Sequence, residues 1–309
     1  MAVPTTPATR LSLVGLRRRR SGGRRQIPWI LVLPAVVLGI GVVIVSTLFG
    51  AWYAFTNWNG FGAAKYIGLA NFREIFSTPE TRDSIFNTLK LALGFFVITN
   101  ALGLGLALAL NRVLKTRHVL RSIFFLPVAV IPLSTTFIWQ YILDYNGPLN
   151  GALKAIGLPG LVQPWLGNPH TALWSVLAVM VWQYTGFAMV LYLAGLQGIP
   201  QELDEAAAVD GATTWVRFRR VTLPLLVPAT TVATMLMMII GLRAFDQVLA
   251  LTGGGPGYAS NTLSTEMYTQ TFVNGRYGFG AALALVLSVM ILIILVAQFA
   301  IIRRRSSVG

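Results

Sequence analysis

The sequence predicts an all-α polytopic membrane protein with six transmembrane helices, and its composition and apolar runs carry this prediction. Of its 309 residues, 55% are hydrophobic and only 11% are charged, whereas a soluble domain carries about 25% charged residues. Several apolar runs reach the roughly 20 residues that a helix needs to cross a hydrocarbon core of about 30 Å. We therefore expect membrane lipid to surround most of the chain.

Six apolar runs are the candidate spans. They cover residues of about 28–56, 87–111, 119–143, 171–197, 221–249 and 277–302. The first run is long enough to tilt or to project beyond the bilayer, and it is too long for the apolar part of a cleaved signal. We therefore divide the chain into a basic segment at 1–27, a six-helix domain at 28–302 and a tail at 303–309.

Lysine and arginine are distributed unevenly among the segments outside the spans. The segments before the first span and after the second, fourth and sixth hold 17 of them, including Arg121 at the start of the third span, and the alternate segments hold 5. Because positively charged loops stay in the cytoplasm, this imbalance predicts that both termini are cytoplasmic. The net charge of +14 does not predict nucleic-acid binding, since the basic residues lie at the ends of apolar runs and not on one solvated face.

Few residues offer redox, metal or catalytic chemistry. The chain has no cysteine, and its two histidines, His118 and His170, are far apart in sequence, which argues against a disulfide framework and a metal site. We recognise no paired catalytic carboxylates and no phosphate-binding loop, and we interpret Gly253–Gly257 as a tight turn. We therefore expect no catalytic residue, no metal and no cofactor bound by this chain itself.

The segment between the fourth and fifth predicted spans, residues 199–224, differs from the apolar sequence on either side. Acidic residues early in the segment favour a helix N-terminus, and Gly211 favours the left-handed residue that ends a helix. An isolated helix of about 10 residues is marginal in water, so we expect another protein surface to dock against it. Three consecutive alanines, Ala206–Ala208, permit the close approach of that surface.

The residue spacing in this segment resembles a known motif. Glu205-Ala206-Ala207, then Gly211, then Val221-Thr222-Leu223-Pro224 resemble the EAA motif of membrane subunits of ATP-binding-cassette (ABC) importers, with Val in place of the usual Ile. The resemblance implies a type I ABC importer permease fold in the bacterial cytoplasmic membrane, with the short helix as the coupling helix. The coupling residues that it implies are Glu205, Ala206, Ala207, Asp210 and Gly211.

The resemblance also implies the partners of the chain. Two ATPase subunits would bind ATP and Mg, a second permease subunit would complete the transport path, and an extracytoplasmic substrate-binding protein would deliver the solute. The stretches "FTNWNG", "YIGLANF", "FFLPVAVIP" and "FDQVLALTGGGP" look like the first permease subunit of the carbohydrate-uptake branch, of the maltose and glycerol-3-phosphate type. The expected solute is therefore a sugar or a sugar derivative.

Aromatic and amide side chains in the fourth span offer stacking faces and hydrogen bonds for a sugar, although helix packing uses the same residue types. Similarity to the maltose-type permeases puts residues of the fourth and fifth spans at solute-contacting positions. These are Gln183, Tyr184, Phe187, Met237, Ile240 and Gly241. Gly241 is expected to leave room for a sugar ring because glycine has no side chain.

Lys90, Arg243 and Asp246 lie inside the predicted spans and need an explanation, since an unpaired charge there is costly. Lys90 lies within a turn of its predicted helix end, where its side chain can extend to the interface. Arg243 and Asp246 are three residues apart and would share one face of a continuous helix. They predict either an intramembrane ion pair or a role in the transport path.

The main alternative is a secondary, ion-coupled transporter, which would need intramembrane acids or inverted repeats. Asp246 is the only acid well inside a predicted span, and no inverted repeat is evident. A membrane-embedded enzyme would need a catalytic cluster near the interface, and we recognise none. The residues leave the solute open among oligosaccharides, monosaccharide derivatives and glycerol phosphodiesters.

Overall fold

The computed structural model describes residues 29–111 and 115–306, which form α-helices and their connections with no β-strand in either range. The all-α prediction is therefore confirmed. The basic segment at 1–27 and Arg112 lie outside the described residues. The chain divides into two compact units, one that ends at Thr47 and one that begins at Leu48.

The helices are numbered along the chain. The first half contains α1 (Trp29–Tyr53), α2 (Ala70–Ser77), α3 (Pro79–Leu110), α4 (Arg117–Ala129), α5 (Pro132–Leu143) and α6 (Pro148–Ala155). The second half contains α7 (Ala172–Gln197), α8 (Gln201–Val209), α9 (Thr214–Arg217), α10 (Leu223–Leu225), α11 (Val227–Leu242), α12 (Asp246–Thr252), α13 (Leu263–Tyr268) and α14 (Tyr277–Ser306). Two π-helical segments follow α9 and α13, at Phe218–Thr222 and Thr269–Val273.

Four helices of the described chain, α1, α3, α7 and α14, are long and apolar enough to cross a membrane. Two bent helix pairs raise the number of candidate spans to six if each pair counts as one span. One pair bends by 97° between α4 and the helices that start at Pro132, and the other bends by 71° between α10 and α11. The third and fifth spans, which we expected to be continuous, are therefore broken.

Proline and extended backbone explain the bend between α4 and α5. Val130 and Ile131 have extended ψ values of 135° and 130°. Ile131 directly precedes Pro132, and the residue before a proline disfavours the helical region. The fifth span also ends earlier than predicted. Helix α11 stops at Leu242 instead of continuing to 249, and Phe245 leaves the helical region with φ −131° and ψ −62°.

Helix α3 begins earlier than predicted, at Pro79 instead of residue 87. Proline fits the first turn of a helix, where its missing N–H costs nothing. Lys90 therefore lies about three turns into α3, with its side chain exposed. The expectation that Lys90 lies within a turn of the helix end is wrong.

Helices α3 and α7 form the centre of the second unit, and α11 packs against both. Phe95 of α3, Met180 of α7 and Met237 of α11 are fully buried in one apolar cluster. Glycine allows the two central helices to approach closely, since a Cβ on Gly103 would lie only 2.6 Å from the Cβ of Ala188. This packing positions the fourth and fifth predicted spans beside each other.

Candidate functional site

The loop between α7 and α11 contains the short helix that the sequence predicts. Helix α8 spans nine residues, Gln201–Val209. Gly211 follows it with φ +80°, a left-handed conformation that glycine adopts without strain. The N–H groups of Gly211 and Ala212 donate hydrogen bonds to the carbonyls of Ala208 and Ala207. These bonds satisfy two of the carbonyls that a helix end leaves free.

Helix α8 has no buried residue. Even Val209 at its end is 88% exposed. Four of the predicted coupling residues are exposed and Ala207 is half-buried, the four being Glu205, Ala206, Asp210 and Gly211. The surface of α8 is therefore accessible to another protein.

An ion pair connects α8 to the chain that follows it, which continues as the capped helix α9. The Asp204 carboxylate lies 3.0 Å from Nη1 of Arg217, and both side chains are partly exposed. Thr213 caps α9, with its hydroxyl accepting a hydrogen bond of 3.4 Å from the Val216 N–H. The ion pair therefore links α8 to α9, which leads through the π-helical segment and α10 into α11.

The predicted path residues of α7 and α11 come together beside α3. Met237 is fully buried, and the half-exposed Tyr184, Phe187 and Ile240 pack against the same apolar cluster. The ring of Tyr184 meets Phe95 of α3 edge-on, with the ring centroids 5.7 Å apart. Tyr184, Phe187 and Ile240 therefore keep part of their surface open while the cluster holds them in place.

The amide of Gln183 is hydrogen-bonded to another side chain. The residue is 1% exposed, and its Oε1 accepts a hydrogen bond of 3.0 Å from Nε2 of Gln247 in α12. An amide bonded in this way joins α7 to α12 and does not line an open surface. We did not single out Gln247 from the sequence, where the available signal was an amide inside an otherwise apolar run.

Gly241 is buried against α3. A Cβ added to it would lie 2.9 Å from the Cα of Ala92 and 3.1 Å from Cδ1 of Phe95. Helix α3 therefore occupies the space beside Gly241. Small residues such as glycine and alanine allow two helices to pack this closely. The room that we expected there for a sugar ring is not present between these described residues.

Arg243 and Asp246 do not form the predicted ion pair. Both side chains are described and exposed, and no salt bridge joins them. The three-residue spacing would bring them together only on a continuous helix, but α11 ends at Leu242 and α12 begins at Asp246. The helix break therefore separates the two charges.

A buried polar network between α3 and the α12–α13 connection was missed by sequence reasoning. Asn87 of α3 donates hydrogen bonds to three backbone carbonyls of that connection, each at 3.2 Å. Glu266 is 2% exposed, and its carboxylate accepts bonds from Asn261 at 2.6 Å and Gln270 at 2.8 Å. Glu266 lies between the fifth and sixth predicted spans, so only its four-residue spacing from Gln270 pointed to this contact.

Comparison with known proteins identifies the family. The family "Binding-protein-dependent transport system inner membrane component" matches residues 101–307. The "Probable starch degradation products transport system permease protein AmyD" of Thermoanaerobacterium thermosulfurigenes is 34% identical over 278 residues, with 90% of this chain and 94% of the relative covered. The "Trehalose/maltose transport system permease protein MalF" of Thermococcus litoralis is 35% identical, with 86% and 90% covered.

The fold is also similar to a solved importer. A chain of the "Crystal structure of a bacterial ABC transporter involved in the import of the acidic polysaccharide alginate" superposes with a TM-score of 0.79 at 25% identity, with 89% of this chain and 94% of that chain covered. The resemblance to importer membrane subunits and the type I permease fold that it implied are thereby confirmed. The chain belongs to the family of inner-membrane components of binding-protein-dependent transport systems, as a permease subunit of an ABC importer.

Proposed function

We propose that this chain is the first of two permease subunits in an ATP-driven importer of carbohydrates. The similarity to the starch-product and trehalose/maltose permeases over most of both chains is the observation that carries the proposal. A substrate-binding protein delivers the sugar outside, and a second permease completes the path. Two ATPase subunits bind ATP and Mg in the cytoplasm, where both termini of this chain also lie.

Helix α8 is the proposed contact with an ATPase subunit. Glu205 and Ala206 of α8 and Asp210 at its C-cap are exposed, and no buried residue ties α8 to the bundle. The ion pair between Asp204 and Arg217 connects this helix to the chain leading into α11. Closure of the ATPase pair is therefore transmitted to a helix of the proposed path.

The half-exposed side chains of Tyr184, Phe187 and Ile240 form the proposed wall of the sugar path. Aromatic faces stack on the apolar faces of sugar rings. The other three predicted path residues are buried and pack beneath this wall. They are Gln183, Met237 and Gly241. The wall is completed by the second permease.

Uptake by the complete importer tests the carbohydrate assignment. The importer is reconstituted in proteoliposomes with its second permease, its ATPase subunits and its binding protein, and it is offered labelled maltose, trehalose, maltotriose or leucine. We expect ATP-dependent uptake of at least one sugar and none of leucine. Uptake of leucine without any of the sugars would contradict the proposal.

Glu205→Lys tests the coupling assignment separately. We expect the complex to assemble with normal binding-protein affinity, while stimulation of ATP hydrolysis by the loaded binding protein is lost. The matched control is Glu80→Lys, the same charge change at an exposed residue in the first turn of α3. If Glu205→Lys is stimulated as strongly as the control, α8 is not the coupling contact.

A further inference from the structure

A cavity of about 610 Å³ lies beside the end of α11, between α13 and α14. Its volume falls within the roughly 300–1,000 Å³ of small-molecule sites. The residues that give it chemical character are a cation, three aromatic rings and two hydroxyls, namely Arg243, Phe245, Ser264, Tyr268, Phe272 and Ser288. None of them belongs to the six predicted path residues.

Arg243 gives this cavity an uncompensated positive charge. Its guanidinium is always protonated and can only donate hydrogen bonds. No described residue forms a salt bridge with it, and the lining of the cavity contains no acidic residue. An ionisable residue inside a predicted span that has no partner among the described residues is a functional-site hypothesis by default. An oxygen-rich group from outside the chain would satisfy it.

Aromatic rings extend from this cavity in a row. The centroids of Phe245 and Tyr268 are 5.4 Å apart, as are those of Tyr268 and Phe272. The row continues from Phe272 to Tyr277 at 6.3 Å and from Tyr277 to Trp58 at 5.5 Å. All five rings keep part of their surface exposed. A series of accessible rings suits a ligand with flat apolar faces.

A sugar uses both features of the cavity. A phospholipid would pair its headgroup with the guanidinium, but its acyl chains have no flat face to stack on the rings. A pyranose ring has apolar faces that stack on aromatic rings and edges that carry oxygen acceptors. Arginine donates to such oxygens whether they belong to hydroxyls or to carboxylates.

We propose that this cavity is a second sugar subsite of the permease, in which Tyr268 and Phe272 stack on a pyranose ring and Arg243 donates hydrogen bonds to its oxygens. The proposal rests on the proposed function, because it requires a carbohydrate solute. It adds a ligand contact on the α11 and α13 side of the chain, whereas the predicted path residues lie on α7 and α11.

Thiol labelling tests occupancy of the subsite. The chain has no native cysteine, so Ser288→Cys introduces its only thiol, at an exposed residue of the cavity. In the complete importer with binding protein and ATP, we expect a saturating sugar from the uptake panel to slow maleimide labelling several-fold. Ser77→Cys, exposed at the end of α2 and outside the cavity, should label at the same rate with and without sugar.

Replacing Arg243 tests its part in binding. Hydrogen bonds from a charged donor stabilise a bound ligand more than neutral ones do. Arg243→Gln should therefore raise the KM for uptake about tenfold, and Arg243→Lys should raise it less. The same uptake is measured in phosphatidylcholine vesicles with and without phosphatidylglycerol. A defect that appears only with the anionic lipid would assign Arg243 to a lipid headgroup and overturn the proposal.

The two proposals fail in different ways. If the wild-type importer takes up none of the sugars, the carbohydrate assignment fails and the subsite fails with it. If the wild type transports a sugar but labelling of Ser288→Cys is unaffected by that sugar, or Arg243→Gln has a normal KM, only the subsite is wrong.

Discussion

Helices α7 and α8 are neighbours in the chain, but they are held in opposite ways. In the apolar stretch of α7, 67% of the residues are buried, whereas α8 has no buried residue. Packing against α3, α4 and α11 fixes α7, and one partly exposed salt bridge helps to hold α8. Substitutions in α8 should therefore change coupling and leave folding nearly intact, and those in the α7 interface should do the reverse.

The largest effect is expected for Gly211→Leu, which should abolish stimulation of ATP hydrolysis by the loaded binding protein. Gly211 has φ +80° and no neighbouring atom within 4 Å of an added Cβ. Leucine would be strained in this conformation by about 1–2 kcal/mol, so the end of α8 should rearrange. The measurement is ATPase stimulation in proteoliposomes, with uptake followed in parallel.

Gly157→Leu is the matched control for this strain. Gly157 also has φ +80° and open space around it, in the connection after α6. It should lower the thermal midpoint by a similar amount and leave stimulation unchanged. Equal loss of stimulation in both variants would mean that general destabilisation, and not the end of α8, explains the Gly211→Leu result.

The next effect concerns the α3–α7 interface. A Cβ at Gly103 would meet both the Cβ of Ala188 and, at 3.0 Å, the backbone N of Met189. Gly103→Ala should therefore destabilise the protein by about 1–3 kcal/mol through overpacking. Gly105 of the same helix has open space, so Gly105→Ala should be neutral or stabilising by up to about 1 kcal/mol. Thermal unfolding in detergent compares the two, and an equally stable Gly103→Ala would contradict the close packing.

Features that depend on neighbouring residues were the most predictable from the sequence. Helix α8 and its glycine end follow from acidic residues, a short length and Gly211, and the structure places both as predicted. The spans at α3, α7 and α14 follow from long apolar runs. Exposure of α8 was also predictable, because a short helix with few apolar residues has little to bury.

Features that depend on distant parts of the chain were not predictable in the same way. The break after Leu242 separates Arg243 from Asp246, although their spacing is suited to an ion pair on a continuous helix. The contact of Gly241 with Ala92 joins residues about 150 positions apart, and no local pattern specifies it. The roles of Gln247 and Glu266 likewise depend on their hydrogen-bond partners in the folded chain.

An effect of comparable size is expected at the bond between Gln183 and Gln247. Gln247→Leu would leave the Oε1 of the buried Gln183 without its 3.0 Å donor, which should cost about 1–3 kcal/mol of stability. The double replacement of both glutamines by leucine should recover part of this loss, because no unsatisfied amide is left. A double-mutant cycle on thermal stability measures this, and purely additive losses would mean that the two amides do not interact.

The smallest effect is expected at the bond that holds α8. Asp204→Asn removes the charge facing Arg217, but exposed ion pairs contribute only about 0–1 kcal/mol, and the Asp204 side chain is 49% exposed. The thermal midpoint should therefore barely change. A measurable fall in ATPase stimulation is nevertheless expected, since this bond connects α8 to the chain that leads into α11. Charge reversal of both partners should restore stimulation if the bond transmits the motion, and it should restore nothing if Asp204 itself contacts the ATPase subunit.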